Sequence, residues 1–167
     1  MTASLTVDVD VDVEQLLAGH GTSLRWMTNV ANDDDCFGHV QSLHDADTAA
    51  QQLGIELREA GAGTAIVALT VAQQHLGSLG QLHGGVLFTV ADVAMSYAGN
   101  SRGGTAMAIR AAIDYIDAAS TGDVLVATAV EHSLRGKAGI YDVAIRTESD
   151  DRLIATFRGN TLRLRKW

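Results

Sequence analysis

Asp92 is the one formal charge between Glu59 and Arg102, and it stands inside an apolar stretch running from Leu82 to Ala98. At 100° per residue the spacing predicts a helix over 82–98. Val86, Leu87, Val90, Ala91, Val93, Ala94, Met95 and Ala98 then cover most of its circumference, the pattern of a helix buried on nearly all sides. Thr89, Asp92, Ser96 and Asn100 fall at i, i+3, i+7 and i+11, so they form one narrow polar stripe with the carboxylate at its centre. A buried ionised carboxylate is costly unless it is paired or hydrogen-bonded. It is therefore either a satisfied core acid or part of a site, and the stripe favours a site.

The start of the same helix carries a second signal. His83-Gly84-Gly85 puts two residues without side chains where the first helical N–H groups lack intrahelical partners. The result is either a tight entry turn or an open, positively polarised pocket suited to an oxyanion or a polarised carbonyl. At about 1.5 Å rise per residue, Gly84 and Asp92 are separated by roughly 12 Å, too far to act on one reacting atom. If both serve one reaction, two chains must supply them.

His-Gly-Gly followed by a helix with an acid nine residues after the His resembles the hotdog-fold acyl-CoA thioesterases, and within them the phenylacetate-pathway type. The similarity extends over about residues 45 to 165. It includes DTAAQQLGIEL from Asp47, GGVLFTVADVAMSYAGNSRG from Gly84, AAIDYIDAASTGDVLVATA from Ala111, RGKAGIYDVAIRT from Arg135 and IATFRGNTLR from Ile154. The resemblance implies hydrolysis of an acyl-CoA thioester, with a small aromatic acyl group such as phenylacetyl or hydroxyphenylacetyl. It makes Asp92 the nucleophile or general base and the Gly84 backbone N–H the group that polarises the thioester carbonyl. The two come from opposite subunits of a homodimer, and two such dimers commonly associate into a tetramer. No cofactor is implied beyond the coenzyme A of the substrate, and no metal.

Further candidates each have a bland alternative. His83 polarises the site or caps the helix. Ser96 resembles a hydroxyl that holds the hydrolytic water in some relatives, and equally suits a helix serine bonded to the preceding turn. Gly85 and Thr89 line the same substrate side. Arg135, Lys137 and Arg158 resemble positions near the nucleotide part of coenzyme A, or are solvated turn and strand charges. The sequence departs from the family pattern at Gly77, where relatives commonly carry Asn or Gln six residues before the His, and at Ala118-Ala119, where a proline often follows; the chain has no proline at all. Gly77 keeps open a non-catalytic acyl-CoA binding or sensing module. A dehydratase acting on acyl carrier protein lacks its His-Phe-Pro-Gly stretch here.

The elements that must position these residues make an α+β arrangement. The sequence predicts a short helix from about Asp45 to Leu53, ended by Gly54, and paired strands Ile55 to Glu59 and Thr64 to Thr70 around a glycine-rich turn. A loop over Gln73 to Leu82 leads into the central helix. Strands at Thr105 to Ile116, Asp123 to Ser133, Ala138 to Glu148 and Arg152 to Leu164 follow, and their short turns favour antiparallel neighbours. The expectation is a hotdog fold, one long buried helix wrapped by an antiparallel sheet of five to six strands, over residues 41–167.

Residues 1–40 form an acidic extension with seven acids against the single Arg25. Its alternating Val7-Asp8-Val9-Asp10-Val11-Asp12-Val13 reads equally as an edge strand or a mobile tail. Glu14 to Val30 could hold a short docking helix, and Asn32-Asp33-Asp34-Asp35 a loop or helix start without metal-ligand spacing. At 167 residues the chain is one domain in size. A net charge of −8 and a pI near 5.0 argue against a nucleic-acid partner. The uncharged run from Ala60 to Ala91 is broken by Gln, His and Gly, against a membrane span. The lone Cys36 and the absence of a signal-peptide pattern fit a reducing cytoplasm.

Overall fold

The computed structural model describes residues 33–164. Two helices open it, α1 (Asp33–Ala46) and α2 (Thr48–Leu53). The single helix expected near Asp45 is thus two, because Asp47 interrupts the run: its Oδ1 accepts from the Ala50 N–H and caps α2. Gly54 ends α2 at φ 70°, a left-handed conformation that glycine adopts without a Cβ penalty. Asp33 to Asp35 open α1, whereas Asn32, the alternating Val/Asp segment and the helix considered over Glu14 to Val30 lie outside the described residues.

Six strands follow: β1 (Ile55–Gly61), β2 (Thr64–Thr70), β3 (Ala106–Tyr115), β4 (Val124–Arg135), β5 (Ala138–Thr147) and β6 (Leu153–Arg163). Between β2 and β3 the long helix α3 spans Gly84–Asn100, starting two residues later and ending two later than the sequence predicted. All neighbouring strands pair antiparallel, in the order β1-β2-β4-β5-β6-β3. One helix wrapped by a six-stranded sheet is the α+β arrangement that the resemblance implied.

One expectation fails in this topology. The short turn Ser120-Thr121-Gly122 does not make β3 and β4 neighbours; β3 pairs with β6, and two strands separate it from β4. The link between them is anchored instead beneath the start of α3. Leu82 donates its N–H to the Ala119 carbonyl at 2.9 Å, Ala119 is buried, and Val71 donates to the Asp123 carbonyl at 2.8 Å.

Alternation on the strands explains how the sheet holds the helix. Ala65, Val67 and Leu69 of β2, Leu125, Ala127 and Ala129 of β4, Tyr141, Val143 and Ile145 of β5, and Ala155 and Phe157 of β6 are all buried. They pack with Leu87, Val90, Ala91, Ala94, Met95 and Ala98 of α3 in one core. Gly159 lets the helix come close, since a Cβ there would sit 2.0 Å from Met95 Sδ and 3.0 Å from the Phe157 ring. Asn100 ties the helix end to β3: its Oδ1 accepts from the Ala106 N–H at 2.8 Å and its Nδ2 donates to the Ala106 and Ser96 carbonyls. It therefore leaves the chemical stripe and serves as a splice. At the opposite end of the sheet order from β1, β3 is an edge strand among the described residues, with Met107, Ile109 and Tyr115 exposed.

Gly159→Ala should destabilise the fold by about 1–3 kcal/mol, because Met95 is fully buried and has nowhere to retreat. Urea unfolding monitored by circular dichroism reads this as a lowered midpoint with an unchanged slope.

Candidate active site

The helix that is buried nearly all round keeps one strip open. Gly85 is exposed and Phe88, Thr89, Asp92 and Ser96 are only partly buried, while their neighbours Val90, Ala91, Val93, Ala94 and Met95 are buried. At 100° per residue the five open positions fall within one narrow sector of α3. Thr89 donates its hydroxyl proton to the Gly85 carbonyl at 2.9 Å. Ser96 makes no such bond to the preceding turn, and its hydroxyl has no hydrogen-bond partner among the described residues. The bland alternative for Ser96 therefore does not hold.

The Asp92 carboxylate likewise accepts no hydrogen bond among the described residues. Burial holds its pKa above the ordinary value, and the negative charge of Asp47 at the start of α2 adds to the effect. Asp47 is itself held by the α2 cap and by the Tyr97 hydroxyl, which donates to Oδ2 at 3.2 Å. Sequence reading missed this second acid, since 45 residues separate it from Asp92. Tyr97 is buried within the same group, its hydroxyl 3.0 Å from His44 Nδ1, and its pKa is raised by burial and by Asp47.

At the start of α3, His83 is the N-cap. Its Nδ1 accepts from the Gly85 N–H at 2.9 Å, so that donor is not free for a ligand. The Val86 and Leu87 N–H groups both donate to the His83 carbonyl. Gly84 is left as the N–H of this turn with no partner among the described residues. The Tyr115 ring lies over Gly84, where an added Cβ would be 3.3 Å from Cε1, and its hydroxyl donates to the Gly84 carbonyl at 3.2 Å. Sequence reading gave Tyr115 no role; the strand motif holding it was visible, but not its reach to the helix.

The loop before the helix is tied by Gly77 N–H to the Gln81 carbonyl at 2.7 Å and by His83 N–H to the His75 carbonyl at 2.9 Å. Gly77 is outside the left-handed region, unlike Gly80 at φ 74°, and an added Cβ would meet His83 Cδ2 at 3.4 Å. A side chain at 77 is thus sterically allowed and would lie against His83.

The three cations separate. Arg135 and Lys137 flank the β4–β5 turn, exposed and without an ion pair among the described residues. Arg158 instead makes two hydrogen bonds to Asp142, through Nε at 2.5 Å and Nη2 at 2.7 Å, so its guanidinium is already engaged. Among the described residues no three His, Cys, Asp or Glu side chains gather as a metal site. No helix among them is long and apolar enough to cross a membrane.

A carboxylate of raised basicity, a neighbouring hydroxyl and a free N–H at a helix start are the parts needed to open a carbonyl derivative. Comparison with known proteins identifies the group. The thioesterase superfamily model matches residues 79–154. Acyl-coenzyme A thioesterase PaaI of Escherichia coli is 35% identical over 126 residues, covering 75% of this chain and 89% of the relative. The chain belongs to the thioesterase superfamily. The structure of the E. coli PaaI protein, from the phenylacetic acid degradation operon, aligns with a TM-score of 0.78 and 32% identity over 81% of this chain and 97% of that one. A mutant of the phenylacetic acid degradation protein PaaI of Thermus thermophilus aligns with a TM-score of 0.68 at 35% identity, over 71% of this chain and 100% of that one. The architecture of this thioesterase is the hotdog fold.

Because the Asp92 carboxyl holds its proton more tightly folded than unfolded, its contribution to stability is lost as pH rises from its ordinary 3.8 through the raised value. Asp92→Asn should therefore melt at or above the wild-type temperature at pH 7. The gap should close below the ordinary carboxylate pKa, as differential scanning calorimetry across pH can check.

Proposed function

We propose that this thioesterase hydrolyses an acyl-CoA thioester carrying a small aryl-acetyl group, such as phenylacetyl or hydroxyphenylacetyl, to the free acid and CoA. The observation that carries this reading is the open strip of α3, with the Asp92 carboxylate and Ser96 hydroxyl both free of hydrogen bonds among the described residues. The names of the PaaI relatives support the substrate class. The Gly84 N–H polarises the thioester carbonyl and stabilises the oxyanion. Asp92 either attacks the carbonyl carbon or takes a proton from a water held by Ser96. In the second route the water oxygen bonds to carbon, the C–S bond breaks, and the thiolate leaves and takes up a proton. Arg135 and Lys137 meet the CoA phosphates, while Arg158 could do so only by giving up Asp142. The reaction asks for no cofactor beyond the CoA of the substrate.

Each site draws on two chains, because the rise of α3 keeps Gly84 and Asp92 of one chain roughly 12 Å apart. The β3 edge supplies the surface for a two-fold dimer, since a ten-residue strand with an open edge is a template for pairing. Pairing two β3 strands about Ala112 sets Arg110 opposite Asp114 of the other copy, the only charges on the strand. The family resemblance supports further association of two dimers, and the lone cysteine supports a cytoplasmic location. A non-catalytic acyl-CoA sensor is the second reading, favoured by Gly77 in place of an amide side chain.

A panel of acyl-CoA substrates with detection of released thiol tests the activity. Asp92→Asn should lose on the order of 10²-fold in kcat while still binding substrate, and wild-type kcat should fall on acidification with a midpoint above that of an ordinary aspartate. Mixing Asp92→Asn with Gly84→Pro under subunit exchange makes about half the dimers mixed with one intact site each, so roughly a quarter of the activity should return. Exchange without recovery would sink the shared site, provided the Gly84 variant melts normally. Gly77→Asn should raise kcat, since the added amide fits beside His83; unchanged turnover would mean that Ser78 or water already fills that role.

A further inference from the structure

Gly84 and Gly85 share one peptide group, and both its ends are engaged. The Tyr115 hydroxyl donates to the Gly84 carbonyl at 3.2 Å, and the Gly85 N–H donates to His83 Nδ1 at 2.9 Å. The three groups form a continuous chain, O–H to C=O, then N–H to Nδ1, of the kind in which each bond polarises the next. Its end has a chemical consequence. A ring nitrogen that accepts from a backbone N–H bears no hydrogen, so a neutral His83 carries its proton on Nε2. His83 is exposed at the start of α3, beside the free Gly84 N–H, and its Nε2 has no partner among the described residues.

Tyr115 is also built into this corner by shape. Its ring occupies the space that a side chain at residue 84 would take, against a glycine whose backbone has no Cβ to restrict it. It stands at the last position of β3, one strand end away from the helix start, and is 56% exposed, so it contributes little to the core.

We propose that Tyr115 is a positioning residue of the site, acting through the Gly84–Gly85 peptide to hold His83 as the Nε2–H tautomer and so present a second donor to the thioester beside the Gly84 N–H. The inference rests on the thioesterase reading for its substrate but not for its geometry. Tyr115→Phe keeps the ring over Gly84 and removes only the hydroxyl. It should lower kcat on the order of 5-fold with KM and melting temperature unchanged. In a His83→Ala background the same change should cost nothing further, because the two residues act as one unit. Imidazole nitrogen resonances from ¹H–¹⁵N spectra at pH 8 should show the Nε2–H form in the wild type and a mixture of tautomers in Tyr115→Phe. An Nδ1–H form in the wild type, the same tautomer in both proteins, or an undiminished loss in the His83→Ala background overturns the proposal. Absence of any acyl-CoA hydrolysis by the wild type would count against the thioesterase reading instead, and the tautomer measurement would still decide the role of Tyr115.

Discussion

A single rigid helix carries both groups proposed to act on the thioester carbonyl, and its rise keeps them apart. The N–H at Gly84 and the carboxylate at Asp92 are two helical turns from one another, and no side-chain movement closes roughly 12 Å. The rest of the structure serves that helix. The alternating faces of β2, β4, β5 and β6 close around it, Asn100 fixes its far end to β3, and the His83 cap with the loop bonds of Leu82 and His83 fixes its start. What remains open is the one strip on which Asp92 lies.

That strip also explains why the acid costs stability and keeps its proton more tightly. Asp92 is partly buried, lacks hydrogen bonds among the described residues and faces the charge of Asp47. A carboxylate selected for folding alone would have been given partners. Held short of them, it is a stronger base than an ordinary aspartate, and the work of holding it is done by apolar packing elsewhere on the same helix.

The features legible in the sequence are those set by local periodicity. The isolated charge on an apolar helix, the glycine pair at its start, the αL stop at Gly54 and the strand runs all depend on neighbours a few residues away. Contacts across the sheet were not legible. The pairing of β3 with β6 overrides the short link to β4, and the Arg158–Asp142 pair depends on strand register. Asp47 near Asp92 and Tyr115 over Gly84 join segments that only the fold brings together. Asn100 was placed on the right stripe but given the wrong company, because spacing reports direction around a helix and not what meets it.

The strand order has a consequence for how the chain reaches this state. β3 follows the helix directly, yet its partner is β6, so the ten-residue strand at 106–115 waits for residues 153–163 before its ladder can form. Until then α3 emerges with its most apolar faces partly uncovered, since Phe157 and Gly159 of β6 belong to the surface that receives Phe88 and Met95. Closure is a long-range step whose loop entropy must be met before the contacts reward it, which makes it slow compared with the local β4–β5 hairpin. A chain interrupted before β6 would display an apolar helix and an unpaired strand together, the combination most prone to aggregate.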